Sequence, residues 1–410
     1  MMMRRILIVC WLLAAGCAAT PDRPVASGGT QDAITILVAM DGFRPDYLDK
    51  GATPTMSALA ADGVRASMRP SFPSVTFPNH YALITGKTPD HNGIVYNKME
   101  DEQRPGVTFT MSPSVASDPY WWADATPLWV SAERQGVRTA TMFWPGSDYE
   151  LGGVRPSRWR LFDMDLPGFA RVDQLLAWLD EAGPKPRFLT LYFDLVDTAG
   201  HNYGPDAADT LGAVAEVDAA IGRLVAGLEK RGLAASTNLV IVADHGMAEV
   251  SEDRIINLDA LASADIARVL WDGPTAGVYP RAGREAEAEA ALTGTHEHGT
   301  CWRKGEMPER FGYGTHRRVP PIVCLAEVGW RYRSAQVTQY AGVSKGAHGF
   351  DPDAPEMSAV FVAHGPAFRR GASLPEFPNV SVYPLLAKLI GVTPEAGDGA
   401  MEDVRGALRE

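Results

Sequence analysis

Cysteine is scarce in this 410-residue chain: there are four, and Cys10 and Cys17 fall within the first 17 residues. Only Cys301 and Cys324 remain in the body, too few for a disulfide-built scaffold but enough for one bridge or two separate buried thiols. Positive charge is also short. Lys and Arg number 38 against 50 Asp and Glu, for a formal net charge of −12. That balance excludes an electrostatic nucleic-acid binder, which needs a basic face. No apolar run after the first 17 residues is long enough for a transmembrane helix. Internal repeats and low-complexity blocks are missing too. A composition of 46% hydrophobic and 21% charged residues describes a globular protein with a sizeable core.

The amino terminus has its own character. Met1 to Arg5 is basic, Ile6 to Leu13 is apolar, and Ala14-Ala15-Gly16-Cys17 is small. This is the layout of a secretory signal over residues 1–17. Ala15-Gly16-Cys17 also resembles the end of a bacterial lipobox, with Ala14 where leucine is usual. The expectation is an exported chain, either periplasmic or anchored to the outer membrane through Cys17. Loss of Arg4 and Arg5 takes the formal charge from −12 to −14. Export favours a bridge between Cys301 and Cys324. Residues 18–32, with Pro, Gly, Ser and Thr, read as a flexible tether, leaving 33–410 as the folded domain.

Within that domain, short β-branched runs alternate with amphipathic stretches. Ile34 to Met40, Arg138 to Trp144, Phe188 to Phe193, Asn238 to Ala243 and Ala359 to His364 read as buried strands. Thr53-Pro54 opens a helix that Gly63 closes, and further helices are expected over Pro127 to Gly136, Val172 to Ala182, Pro205 to Gly232 and Val382 to Ile390. The alternation predicts an α/β fold, a mostly parallel sheet with helices on both faces. A segment at about 280–340 breaks the rhythm with an acidic helix (Arg284 to Leu292) and a Gly- and Arg-rich stretch holding both body cysteines. It reads as a small inserted subdomain.

Ligands of open α/β sheets bind outside the carboxyl ends of the strands. Here the strand ends carry Asp41, then Asp197 with His201, then Asp244 with His245, and a further loop adds His348. Carboxylate oxygen and imidazole nitrogen suit Zn²⁺, and three protein ligands per ion leave a position open for substrate. Thr76 precedes Phe77-Pro78 where a helix begins, and Gly86 is placed to end that helix. Its hydroxyl serves either as an N-cap or as part of an anion site at the helix N-terminus. His296-Glu297-His298 has no helical spacing and reads as a solvated loop. His80, His91 and His364 lie near the motifs without matching ligand positions and read as structural or as supports behind the ligands, and His316 stays unassigned.

Taken together these segments resemble a known family. Asp41, Thr76-Phe77-Pro78-Asn79-His80, Asn97-Lys98-Met99, Trp144-Pro145-Gly146-Ser147-Asp148, Asp197-x-x-x-His201, Asp244-His245-Gly246 and Gly346-x-His348-Gly349 are similar in kind and order to the nucleotide pyrophosphatase/phosphodiesterases of the alkaline phosphatase superfamily. The resemblance spans about residues 34–395. It implies an alkaline-phosphatase-like core and two Zn²⁺ ions, one on Asp197, His201 and His348, the other on Asp41, Asp244 and His245 beside Thr76. Thr76 is then the nucleophile, forming a covalent phospho-threonine, and Asn97 donates to a non-bridging phosphate oxygen. Phe77 and Tyr192 match positions that stack a nucleobase.

The resemblance also sorts neighbouring chemistries. Ser71-Phe72-Pro73-Ser74-Val75 copies the start of a sulfatase motif but has Val75 where arginine is required. Thr76 and Asn97, in place of the serine and arginine of monoesterases, favour a diester. The expected reaction is hydrolysis of small nucleotide phosphodiesters and pyrophosphates to a nucleoside 5'-monophosphate, with no nucleic-acid duplex and no protein partner implied. A choline-phosphodiester or lysophospholipid hydrolase of the same family, and a non-catalytic exported metal-binding protein, are the alternatives.

Overall fold

A computed structural model describes residues 33–338 and 344–409. The expected signal and tether, and with them the question of export and lipidation, lie outside the described residues. Seven strands build the core of one large sheet: β1 (Ile34–Met40), β2 (Val64–Arg69), β3 (Thr139–Met142), β4 (Arg158–Trp159), β5 (Phe188–Phe193), β6 (Thr237–Val242) and β7 (Ala359–His364). Their spatial order is β2-β7-β6-β1-β5-β3-β4, with the two-residue strands Ala372–Ser373 and Phe377–Pro378 on the free side of β2. β1, β5 and β6 are buried along their whole lengths, which is why their sequences are continuous apolar runs without alternation.

The β6-β1-β5-β3-β4 block is parallel throughout, so the carboxyl ends of its strands share one edge. β7 runs antiparallel to both β6 and β2. Two helix groups cover the sheet. One packs α1 (Pro54–Asp62), α4 (Gly168–Asp180) and α5 (Leu195–Tyr203) around the long α6 (Ala208–Lys230); the other joins α2 (Thr76–Thr85) and α3 (Leu128–Arg134) to α7 (Val382–Ile390). Among the described residues no helix is long and apolar enough to cross a membrane.

Local chemistry sets the helix ends. Thr53 stands at the N-cap of α1 without capping it; Asp218 on α6 accepts from the Thr55 and Met56 N–H groups at 3.0 and 2.8 Å instead. α4 begins at Gly168, earlier than the expected Val172, because Pro167-Gly168 opens the helix rather than terminating a loop.

A second, five-stranded antiparallel sheet has the order Ala267–Trp271, Thr275–Pro280, Ile322–Ala326, Gly299–Arg303, Gly294–His296. It therefore begins at Ala267, upstream of the insertion expected at about 280–340. Cys301 and Cys324 face each other across two of its strands and are joined as a disulfide. The sheet docks beside the Asn97 loop, where Trp271 stacks on Tyr96 with ring centres 4.2 Å apart.

Arg318 completes that docking. Fully buried, it donates to Asp101 at 2.7 Å and to the carbonyls of Gly93 and Trp121, each at 2.7 Å. Burial alone would raise the Asp101 carboxyl, but the charged hydrogen bonds from Arg318 outweigh it and hold the pKa at about 2. A carboxyl depressed on folding stabilises above its unfolded pKa, and that contribution is lost as pH falls from about 4 to about 2. Arg318→Ala leaves the Gly93 and Trp121 carbonyls without their donor while Arg317 still pairs with Asp101 at 3.0 Å, and is expected to lose about 2–4 kcal/mol in urea unfolding at neutral pH. With Arg317 and the Gln103 N–H still on Asp101, the variant keeps a shallower form of the wild-type dependence of stability on pH between 4 and 2.

Candidate active site

Most candidate residues sit at the carboxyl edge of the parallel block or on a helix beside it, while His348 follows Gly346–Ala347 of a separate two-stranded pair and Asn97 lies in a loop. Asp41 follows β1, and Asp244-His245 follows β6. Asp197 and His201 lie one turn apart on α5, so helix spacing rather than a strand end puts them on one face. Thr76 is the first residue of α2, and Val75 holds the N-cap position. The threonine hydroxyl is thus not spent on capping, and stands 3.4 Å from His245 Nε2.

Asn79 fixes the approach to that helix. Its Nδ2 donates to the carbonyls of Ser71, Pro73 and Val75 at 3.2, 2.9 and 2.9 Å, while its Oδ1 accepts from Ser71 N–H at 2.8 Å. Asn97 Oδ1 accepts from the Phe77 backbone N–H at 2.9 Å, which leaves the Asn97 Nδ2 amide as a free donor beside Thr76.

The acid and imidazole groups converge. His245 Nε2 is 3.4 Å from Asp41 Oδ1 and 3.1 Å from Asp244 Oδ2. Asp197 Oδ1 is 3.5 Å from His201 Nε2 and 3.6 Å from His348 Nε2. The rings of His245 and His348 stack 3.7 Å apart, linking the two sets. Three carboxylate oxygens (Asp41 Oδ1, Asp197 Oδ1 and Asp244 Oδ2) are buried without a hydrogen bond.

The other ring nitrogens are all committed. Nδ1 of His201, His245 and His348 faces the carbonyls of Gly346, Gly246 and Ser74 at 2.8, 2.9 and 2.9 Å. A carbonyl only accepts, so each Nδ1 carries a proton, and a neutral ring then presents its Nε2 lone pair. On His245 burial is outweighed by the Asp244 charge, which raises the imidazole and favours a second proton that a bound cation would displace. This is the arrangement of metal-ligating histidine.

Electrostatics point the same way. Burial, then the charges of Asp244 and Asp197, push the Asp41 carboxyl well above the usual range. Burial raises Asp197 as well, and holds His348 far below an ordinary imidazole, reinforced by His245 and His201. Asp244 goes the other way, because His245 and His80 outweigh its burial. Lone pairs pointing at crowded, unpartnered carboxylates call for a cation. Two donors about 2.0 Å from one tetrahedral ion stand about 3.3 Å apart, which matches these spacings. The donor set therefore fits divalent metal, and zinc in particular.

Residues 35–351 match the family described as type I phosphodiesterase / nucleotide pyrophosphatase. The bis(5'-adenosyl)-triphosphatase enpp4 of Xenopus laevis is 33% identical over 91% of this chain and 81% of its own length. Human ectonucleotide pyrophosphatase/phosphodiesterase family member 5 is 32% identical, covering 91% and 77%. The chain belongs to this phosphodiesterase family. The solved human member 5 superposes with a TM-score of 0.87 at 32% identity, over 92% of this chain and 100% of that one. An inactive threonine-to-alanine variant of the murine protein, solved with AMP, gives 0.87 at 31% identity with the same coverage. The chain is accordingly a hydrolase with an alkaline-phosphatase-like fold, and the non-catalytic alternative falls away.

Membership in the phosphodiesterase family leaves one residue to correct. Tyr192 is only 8% exposed, and its hydroxyl donates to Asp41 Oδ2 at 2.6 Å, with the ring edge-on to His80 and Phe162. It has no face free for a nucleobase. The open aromatic on that side is Phe162, 38% exposed, which a strand pattern did not single out because it lies in an irregular loop. His80, fully buried, stands behind Asp244 and Thr76, in the supporting place its sequence reading allowed. Its Nδ1 lies 3.3 Å from Asp244 Oδ2, and Asp41, His80 and Asp244 form one compact group, as do Asp197, His245 and His348. Yet the same Nδ1 is 3.0 Å from the Thr76 carbonyl and so carries a proton, which rules it out as a ligating atom. His296, His298 and His316 are engaged elsewhere, with Leu292, Glu327 and Asp124.

Gly42 couples two carboxylates of the site. Its φ is +68°, its N–H donates to Asp244 Oδ1 at 3.2 Å, and a Cβ there would meet Asp197 Cα at 3.0 Å. Gly42→Ala is expected to cost about 1–3 kcal/mol in backbone strain and to displace Asp197. Hydrolysis of a phosphodiester by the variant should fall at least about 100-fold, since misplacement by an ångström costs that much. Steady-state rates and metal content of the purified protein check it.

Proposed function

We propose that this phosphodiesterase is a two-zinc enzyme that cleaves nucleotide diesters and pyrophosphates through Thr76, releasing a nucleoside 5'-monophosphate. The observation that carries the reading is the placement of the Thr76 hydroxyl 3.4 Å from His245 Nε2, at the rim of a cluster with three buried, unpartnered carboxylate oxygens. Asp197, His201 and His348 would hold one ion, and Asp41, Asp244 and His245 the other. When bound, the ions supply positive charge that makes a hydroxyl acidic and offsets charge building on the phosphoryl oxygens.

The chain's own residues do the rest. Thr76 Oγ1 gives its proton to solvent and attacks phosphorus, the Thr76–phosphorus bond forms as the bond to the leaving oxygen breaks, and the leaving group departs with the electron pair. Asn97, turned by its bond to Phe77 N–H, donates from Nδ2 to a non-bridging oxygen. Water then cleaves the phospho-threonine, returning the hydroxyl and the monophosphate. Phe77, half-buried against Trp122 and Phe109, and Phe162 offer aromatic faces for the base. The AMP bound to the murine relative and the dinucleotide in the name of the Xenopus one support a nucleotide substrate. The chain is further proposed to be exported, and to be lipidated at Cys17 if the lipobox is read.

The test is turnover of a p-nitrophenyl nucleotide ester beside glycerophosphocholine. The nucleotide ester is expected to be the better substrate, with activity abolished by chelator and restored by zinc. Preference for the choline diester would overturn the substrate assignment. Thr76→Ala should keep no more than a trace rate; anything higher rejects the covalent role. Asn97→Ala is expected to lower kcat about 10²- to 10³-fold. Phe77→Ala should raise KM for the nucleotide ester, with stacking worth roughly 1–3 kcal/mol per base.

A further inference from the structure

Tyr192 faces its neighbour across the sheet, not the substrate side. In the parallel register of β1 and β5 it lies opposite Ala39, so Asp41, two residues on, is its diagonal neighbour on the same face. The Asp41 backbone is held at that height by its N–H bond to the Phe193 carbonyl at 2.9 Å. The side chain then meets the buried Tyr192 phenol, which donates to Oδ2 at 2.6 Å, while Oδ1 is buried without a hydrogen bond and points to the His245 side of the site.

Asp244 shows the same division. Its Oδ1 accepts from the N–H groups of Gly42 and His245 at 3.2 and 3.0 Å, and its Oδ2 makes no hydrogen bond. In both carboxylates one oxygen is occupied by a neutral donor and the other is left open. A neutral donor suits the task, since a lysine in the same place would cancel the charge that a cation needs. Asp244 takes its donors from the backbone. Asp41 takes its donor from a side chain, and can therefore be altered without moving the main chain.

We propose that Tyr192 is a positioning residue: its phenol O–H fixes Asp41 as a one-oxygen metal ligand and so sets the affinity of the ion that Asp41 holds. The proposal rests on the two-metal reading above. Without the phenol, Asp41 Oδ2 is buried with no partner, and the carboxylate is free to turn or to chelate. Partners that orient ligands typically change metal affinity 10- to 100-fold.

Tyr192→Phe keeps the ring, and with it the contacts to His80 and Phe162. Zinc affinity is read by competition with a chromophoric chelator, in wild type and variant, alongside activity against free zinc. The expected result is two ions in the wild type, and in the variant one ion bound about 10- to 100-fold more weakly with the other unchanged. Activity lost at low zinc should return at high zinc, with KM for the nucleotide ester unaltered. Wild-type affinity at both ions in the variant overturns the proposal. So does a raised KM with unchanged zinc binding, which would place the phenol against substrate. A wild-type protein that binds fewer than two ions sinks the two-metal reading itself, and this inference with it.

Discussion

Three carboxylates crowded into a buried space, with no lysine or arginine paired to them among the described residues, are the constraint on which this structure turns. Ionised carboxylates are rarely buried unless paired or bound to metal. Here the only positive-capable neighbours are imidazoles, and those on His201, His245 and His348 have their protons tied to backbone carbonyls. The carbonyl contacts leave each neutral ring as an additional lone-pair donor, and on His245 a bound cation would displace the second proton that Asp244 favours. Charge balance must then come from outside the chain. The elevated Asp41 and Asp197 carboxyls are the same fact expressed as proton affinity.

The fold delivers these groups with few moving parts. Three parallel strands end at one edge, so Asp41 and Asp244 arrive at the same level by register alone. The left-handed turn at Gly42 then lets one backbone N–H reach Asp244 and clears room for Asp197 on α5. α2 brings Thr76 in along its axis, held by the Asn79 brace on the preceding loop. Asp41, Asp197, His201, Asp244 and His245 ride on or just after rigid elements and Phe77 on the first turn of α2, while His348 and Phe162 come from less regular segments.

Much of this was legible in the sequence, for identifiable reasons. Fully buried parallel strands are written as unbroken apolar runs, so β1, β5 and β6 stood out, and the acidic and imidazole residues that follow them could be located by position. What stayed hidden depended on partners distant in the chain. The antiparallel sense of β7 leaves no mark in Ala359 to His364, because a central strand reads alike in either direction. The second sheet begins with Ala267–Trp271, whose mixed Arg268 and short length look like a loop edge. Asp218 capping α1, in place of Thr53, is a contact across 162 positions or more. Tyr192 was read as a base-stacking residue from the family resemblance, and its burial and its bond to Asp41, 151 positions away, leave no mark in the sequence around it.

The donor chosen at position 97 carries the argument to the substrate. A phosphate monoester brings one more negative charge than a diester to a site already built from three carboxylates. A cationic side chain next to the nucleophile would offset that charge. Here the neighbour is a neutral amide, fixed by a backbone bond and able to give one hydrogen bond to one oxygen. The acidic surface, with a formal net charge of −12, adds no long-range attraction for polyanions. In the two-metal reading the ions would therefore provide nearly all the attraction for phosphate. Such a site would favour the less charged diester, with the aromatic faces around Phe77 and Phe162 selecting the nucleoside that stays on the phosphoryl group.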